Sequence, residues 1–302
     1  MLWINRNGWI FVLIAAVMWA MDGFLRRNLF ILPPEVIVFY EHLVGLVILL
    51  PIVGMKMLKE KLTHREFIGM LVISLLSGLL GTLWFTAALV KVNFISISVV
   101  YLIQKLQPIF AITSARIVLK EKIAREFYMW AALALGAGFF VTFPNGQINW
   151  STGSETVIAG LFALGAAIAW GSSTSLSRMI LINRPYEVIT GWRFLLTSIM
   201  AFGFVMFTNW GGKGLILPSN AQLGYLVAIA VSTGMVALLI YYKGLKSTKA
   251  QVSTIIELTF PVLVVLMDGL ITRTWLALSQ YLAAIVLLIT MYKIIKLDWK
   301  SI

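Results

Sequence analysis

The sequence predicts an all-α integral membrane protein of ten transmembrane helices, arranged as two inverted five-helix repeats. Three observations predict it. First, 60% of the 302 residues are hydrophobic and 12% charged, with mean hydropathy +0.94. Soluble domains run near about 45–50% apolar and about 25% charged, so a water-soluble globule and a disordered chain are both excluded. Second, the apolar residues gather in stretches long enough to cross roughly 30 Å of hydrocarbon. Third, short motifs recur at a near-constant offset of half the chain. The sequence has no cysteine, which excludes disulfides, thiolate catalysis and Cys-ligated metals. His42 and His64 are its two histidines and form no cluster, so neither a metal nor a cofactor is expected.

Taken in order, the spans are residues 8–26, 35–55, 67–90, 94–118, 126–143, 156–180, 186–208, 221–242, 250–272 and 275–295. Pro33-Pro34, Pro185 and Pro218 punctuate helix starts, while Pro51 and Pro144 are expected to close helices. Lysine and arginine set the orientation. With a cytoplasmic N-terminus, 17 of them fall in cytoplasmic segments, and five fall outside: Arg26, Arg27, Lys91, Lys213 and Arg273. Lys105 and Arg193 remain within spans. Both termini are therefore expected in the cytoplasm. The net charge of +12 reads as a topology signal, with the lipid bilayer rather than nucleic acid as the partner.

The two halves, residues 1–150 and 151–302, correspond. AAVMWA at 15–20 matches AAIAWG at 166–171, placing Trp19 and Trp170 at equivalent positions. PEVI at 34–37 matches YEVI at 186–189, and LQPIF at 106–110 matches TFPVL at 259–263, aligning Pro108 with Pro261. Five spans per half reverse the second copy relative to the first, and the loop charges agree with that reversal. Two inverted copies of one packing unit support two equivalent states, each open to one side of the membrane.

AAxxW in the first helix of each half, the prolines late in the fourth and ninth spans, YEH at 40–42, QKLQPIF at 104–110 and LKEK at 119–122 resemble the EamA family of the drug/metabolite transporter superfamily. The resemblance covers essentially the whole chain. It implies a multi-pass protein of the bacterial cytoplasmic membrane: a secondary transporter, commonly an exporter of amino acids or similar small metabolites, with a central cavity between the halves. A single chain is the expected unit.

Ionisable groups at membrane depth are costly and need a reason. Glu41, Gln104, Lys105, Gln107, Arg193 and Glu257 lie well inside spans. Glu41 and Arg193 are repeat-equivalent with opposite charge, as Gln104 and Glu257 are with one carboxylate. One reading places them around a cavity, Lys105 or Arg193 holding a substrate carboxylate and Glu41 or Glu257 an amine or a proton. The other makes them structural ion pairs, such as Glu41 with Lys105. Trp19 and Trp170 either wall the cavity or pack. Asp22 and Arg26 form an i,i+4 pair near the outer end of the first span. His42 is expected to be packed and hydrogen-bonded. Pro108 and Pro261 are expected to free the carbonyls of Gln104 and Glu257. The competing functional class is an intramembrane enzyme acting on a lipid-linked substrate, with Glu41 and His42 as acid and base. That reading predicts a polar cluster confined to one half.

Overall fold

The computed structural model describes residues 7–91, 100, 103–104, 106–147, 154–208, 215–272 and 277–299. Every regular element among them is helical. We number these α1 (Gly8–Leu29), α2 (Pro34–Lys59), α3 (His64–Lys91), α4 (Gln107–Val118), α5 (Arg125–Thr142), α6 (Ser154–Leu181), α7 (Tyr186–Thr208), α8 (Asn220–Leu245), α9 (Ala250–Ile256 with Thr259–Thr272) and α10 (Leu278–Trp299).

Seven of these helices are long and apolar enough to cross a membrane: α1, α2, α3, α6, α7, α8 and α10. The other three expected spans differ for local reasons. Much of residues 94–106 lies outside the described residues, so α4 starts at Gln107. The helix α5 opens on Arg125-Glu126, which dilutes its apolar content, and α9 is interrupted at Glu257-Leu258.

Local chemistry explains the helix boundaries. Pro34 starts α2 where a missing N–H costs nothing. Capping boxes start α3 (Thr63 with Glu66) and α8 (Ser219 with Gln222). Pro51 does not close α2, which continues to Lys59. The ring sits on an exposed face, where the lost backbone bond leaves neighbouring helices undisturbed. Three membrane helices are irregular midway. The chain turns at Ala20-Met21 in α1, Ser74–Gly81 of α3 is π-helical, and α8 breaks at residues 232–234.

Large apolar side chains such as Val47, Ile52, Leu161 and Phe207 point outward, as lipid-facing residues do. The principal helix pairs are α2 with α7, α5 with α10, α4 with α6, α8 with α1, and α6 with α3. Small residues permit the closest crossings. A Cβ on Gly244 of α8 would lie 2.7 Å from the Gly8 carbonyl oxygen and 2.8 Å from the Val12 nitrogen of α1. Both obstacles are backbone. Gly244→Val should therefore cost about 1–3 kcal/mol, read as a lower thermal midpoint of detergent-purified protein, whereas Gly136→Val, with open space around it, should not.

Candidate functional site

A cavity lies among α1, α2, α3, α4, α6, α7, α8 and α9. The space open to the centre of a water molecule is about 170 Å³, and the empty volume between the walls, mouth included, is about 1070 Å³. Three polar clusters and two aromatic pairs build its lining.

The first cluster surrounds Arg26, which is 3% exposed. After the turn at Ala20-Met21, the short helix Asp22–Arg26 brings this guanidinium inward. Its Nε lies 2.8 Å and its Nη2 3.2 Å from the Asp22 carboxylate, while Nη1 donates to Glu41 at 3.0 Å and to Thr86 at 3.2 Å. Thr233, in the break of α8, donates to Asp22 at 2.7 Å. The planar guanidinium fork thus bridges two carboxylates, and a buried charge set is tolerated only when so thoroughly bonded.

The second cluster belongs to α7. Arg193 Nη1 donates to the Tyr242 hydroxyl at 2.8 Å, and its guanidinium carbon lies 5.7 Å from that ring's centre. Ser177 Oγ is 3.1 Å from the same hydroxyl. Arg193 Nε has no hydrogen-bond partner among the described residues, and no carboxylate among them pairs with this side chain.

The third is a chain across α4, α9 and α8. Gln104 Nε2 donates to Gln107 at 3.2 Å, Gln107 Nε2 donates to Glu257 at 3.0 Å, and the Tyr241 hydroxyl donates to the other Glu257 oxygen at 2.7 Å.

The aromatic walls reach across the halves. Trp19 packs on Tyr241 with ring centres 5.0 Å apart, and Trp170 on Phe85 at 5.2 Å. The Ser77 carbonyl, in the π-helical stretch of α3, accepts from the Trp170 indole N–H at 3.0 Å and from the Thr82 hydroxyl at 3.2 Å. A Cβ on Gly81 would meet Trp170 Nε1 at 2.5 Å, so glycine there admits the indole.

Glu41, Gln104, Gln107, Arg193, Glu257, Trp19 and Trp170 therefore line one cavity. Lys105 lies outside the described residues. Glu41 is bonded to Arg26, because the turn in α1 swings Arg26 onto α2. Arg26 is consequently no loop charge, and removing it leaves four basic residues on the expected outer side. Pro108 stands in the first turn of α4, just after the turn at Leu106. Likewise α9 restarts at Thr259, before Pro261, and the Glu257 carbonyl accepts from Phe260 N–H at 3.1 Å, so it is not free. A tighter i→i+3 bond at the break satisfies it. His42 is bonded as expected, Nδ1 lying 2.9 Å from the Val38 carbonyl oxygen, yet it faces the cavity beside Glu41.

Asp22, Arg26, Ser173, Ser177 and the tyrosine pair were not among the sequence candidates. One signal could have found four of them. Adding 151, the offset of Trp19 from Trp170, carries Asp22 to Ser173 and Arg26 to Ser177, and all four line the cavity.

The sequence profile of the EamA-like transporter family matches residues 6–143 and again residues 157–295. The chain belongs to this family. The resemblance drawn from its motifs is thereby borne out, and this EamA protein is a membrane transporter. It is 37% identical over 295 residues to the riboflavin transporter ImpX of Fusobacterium nucleatum, covering 97% of this chain and 98% of that protein. A crystal structure of a protein 14% identical in sequence superposes with TM-score 0.75, covering 98% of each chain; at that identity it speaks for the EamA protein's fold alone.

Proposed function

We propose that this protein is a secondary carrier for a planar, polar heteroaromatic metabolite of the flavin class, working by alternating access in the bacterial cytoplasmic membrane. One observation carries the reading: the cavity lining combines two aromatic pairs with amide and hydroxyl groups, while Arg26 is already paired with Asp22 and Glu41. A flat uncharged ring system suits such a lining, and the ImpX relative is named for riboflavin. No Walker motif GxxxxGK[ST] occurs in the sequence, so the gradient of substrate or of a co-moving ion supplies the drive.

In this reading ten spans form two inverted five-helix halves, 1–150 and 151–302, with both termini cytoplasmic. The double match of the family profile supports it, as does the packing, because exchanging the halves turns the α1–α8 pair into the α6–α3 pair. One ion pair between the halves, Lys91 with Glu155 at 2.8 Å, joins the end of α3 to the start of α6. The others among the described residues gather where the loops before α3, α5 and α7 lie: Arg184 with Glu66 at 2.7 Å and Glu60 at 3.4 Å, Lys56 with Glu187 at 3.5 Å, and Arg178 with Glu121 at 3.7 Å. Arg184, between spans, is held above its ordinary pKa first by its hydrogen bond to Glu66. These contacts separate when the halves rock apart on that face. Cysteines introduced at Asn149 and Lys246 into this cysteine-free chain should react from opposite sides of the membrane; labelling from one side contradicts the topology.

The test is transport. Proteoliposomes containing the protein should exchange internal riboflavin for radiolabelled external riboflavin, and empty liposomes should not; absence of exchange at saturating protein refutes the flavin reading. Export of amino acids is the second reading, favoured by one observation: the adjacent residues Tyr241 and Tyr242 hold Glu257 and Arg193, opposed charges that match a zwitterion. Labelled amino acids in the same liposomes decide between the two, and loading one side at a time gives the direction of net flux. An enzyme using Glu41 and His42 is disfavoured, since Glu41 is engaged by Arg26 and His42 Nδ1 by Val38.

A further inference from the structure

Two polar atoms of the cavity-lining residues are buried without a hydrogen-bond partner among the described residues: Arg193 Nε, a donor, and Gln104 Oε1, an acceptor. Buried polar atoms in native proteins are nearly always bonded, and each exception calls for an explanation. Arg193 spends Nη1 on Tyr242, and Gln104 spends its amide nitrogen on Gln107. The amide orientation of Gln104 follows from that network, because Gln107 Oε1 requires a donor.

The repeat shows why Arg193 is short of a partner. Its equivalent, Glu41, faces Arg26 of the first helix. The equivalent of Arg26 is Ser177, and among the described residues the Ser177 hydroxyl reaches that of Tyr242. One half thus closes its helix 1 to helix 2 contact with an ion pair. The other half puts a cation opposite a small hydroxyl and leaves an under-used donor on the cavity wall.

We propose that Arg193 and Gln104 together recognise the imide edge of the substrate, Arg193 donating to a ring carbonyl and Gln104 accepting from the adjacent ring N–H. This assignment rests on the flavin reading above. The pyrimidinedione edge of a flavin presents acceptor, donor and acceptor in one plane, complementary to a guanidinium donor and an amide oxygen. A site built to hydrogen-bond a substrate N–H rejects an analogue lacking it far more strongly than an apolar pocket rejects a missing methylene. Arg193 and Gln104 are then specificity-determining residues, and the aromatic pairs supply affinity without selecting among ring systems.

Displacement of radiolabelled riboflavin from the full-length protein in nanodiscs tests this, with riboflavin, N3-methylriboflavin and 2-thioriboflavin as competitors. The wild-type protein is expected to bind N3-methylriboflavin about 10- to 100-fold more weakly than riboflavin, the range for a lost bond to a buried polar group. Gln104→Leu should weaken riboflavin comparably and no longer distinguish it from the N3-methyl compound. Arg193→Gln should abolish discrimination against 2-thioriboflavin in the same way, and Arg193→Lys should not restore it, since lysine keeps the charge without the fork. Independent, multiplicative effects of variant and analogue, in a wild-type protein that binds riboflavin, overturn the edge assignment and leave the flavin reading standing. A wild-type protein that binds no riboflavin overturns both. Gln104→Leu carries the test by itself where Arg193→Gln fails to fold.

Discussion

Arg26→Gln should abolish transport and yield a protein of sharply lowered thermal stability. Arg26 is the shared cation of Asp22 and Glu41 and also bonds Thr86, so it ties α1, α2 and α3 together at one buried point. Through Asp22 it reaches Thr233 of α8. Glutamine is too short to bridge both carboxylates and carries no charge, which leaves two buried anions facing each other. Removing one partner of a buried ion pair costs about 3–5 kcal/mol because the remaining charge is uncompensated. Arg26→Lys should recover little, since an ammonium does not reproduce the two-oxygen grip on Asp22. The double variant Arg26→Gln, Glu41→Gln should regain stability but not transport. Thermal midpoints by fluorescence-detected size exclusion, with riboflavin exchange in liposomes, read both quantities. Wild-type exchange by Arg26→Gln contradicts any role for the cluster.

Glu257→Gln should lower the transport rate by about tenfold, the scale of one charge-assisted hydrogen bond, and should flatten its pH dependence. The carboxylate sits where α9 is interrupted and receives hydrogen bonds from Tyr241 and Gln107. An ionisable group in a membrane pathway is a natural proton carrier, and the amide keeps the shape while removing the exchangeable charge. Rates are measured in liposomes with the two sides buffered independently. A lowered rate with an unchanged pH profile assigns Glu257 to substrate binding alone, and an unchanged rate removes it from the mechanism.

Helix positions were legible because a bilayer demands long apolar stretches and little else. The boundaries that differ do so for reasons that composition does not encode. Pro51 is tolerated inside α2 because its face is exposed, which depends on where α7 and the other neighbours lie. The interruption of α9 falls before Pro261, and its carbonyl is re-bonded locally. Similarly, the deep polar residues were recognisable one at a time, since each is anomalous in an apolar span. Their partners were not. Arg26 read as a loop charge because its apolar span ends there, and only the turn at Ala20-Met21 carries it onto Glu41. Tyr241 and Tyr242 carry no charge to mark them in the sequence, and only the packing of α8 sets them against Glu257 and Arg193.

The sequence by itself determined that this is a helical membrane transporter of the EamA family, with polar groups at chosen depths. Those properties follow from hydropathy and motif spacing, which are local along the chain. Only the tertiary structure decided which charges neutralise one another, and that Arg193 lacks a carboxylate partner among the described residues. Ion pairing depends on a few ångströms of separation between helices, and a two-residue turn in a helix is enough to bring a guanidinium onto a carboxylate of its neighbour.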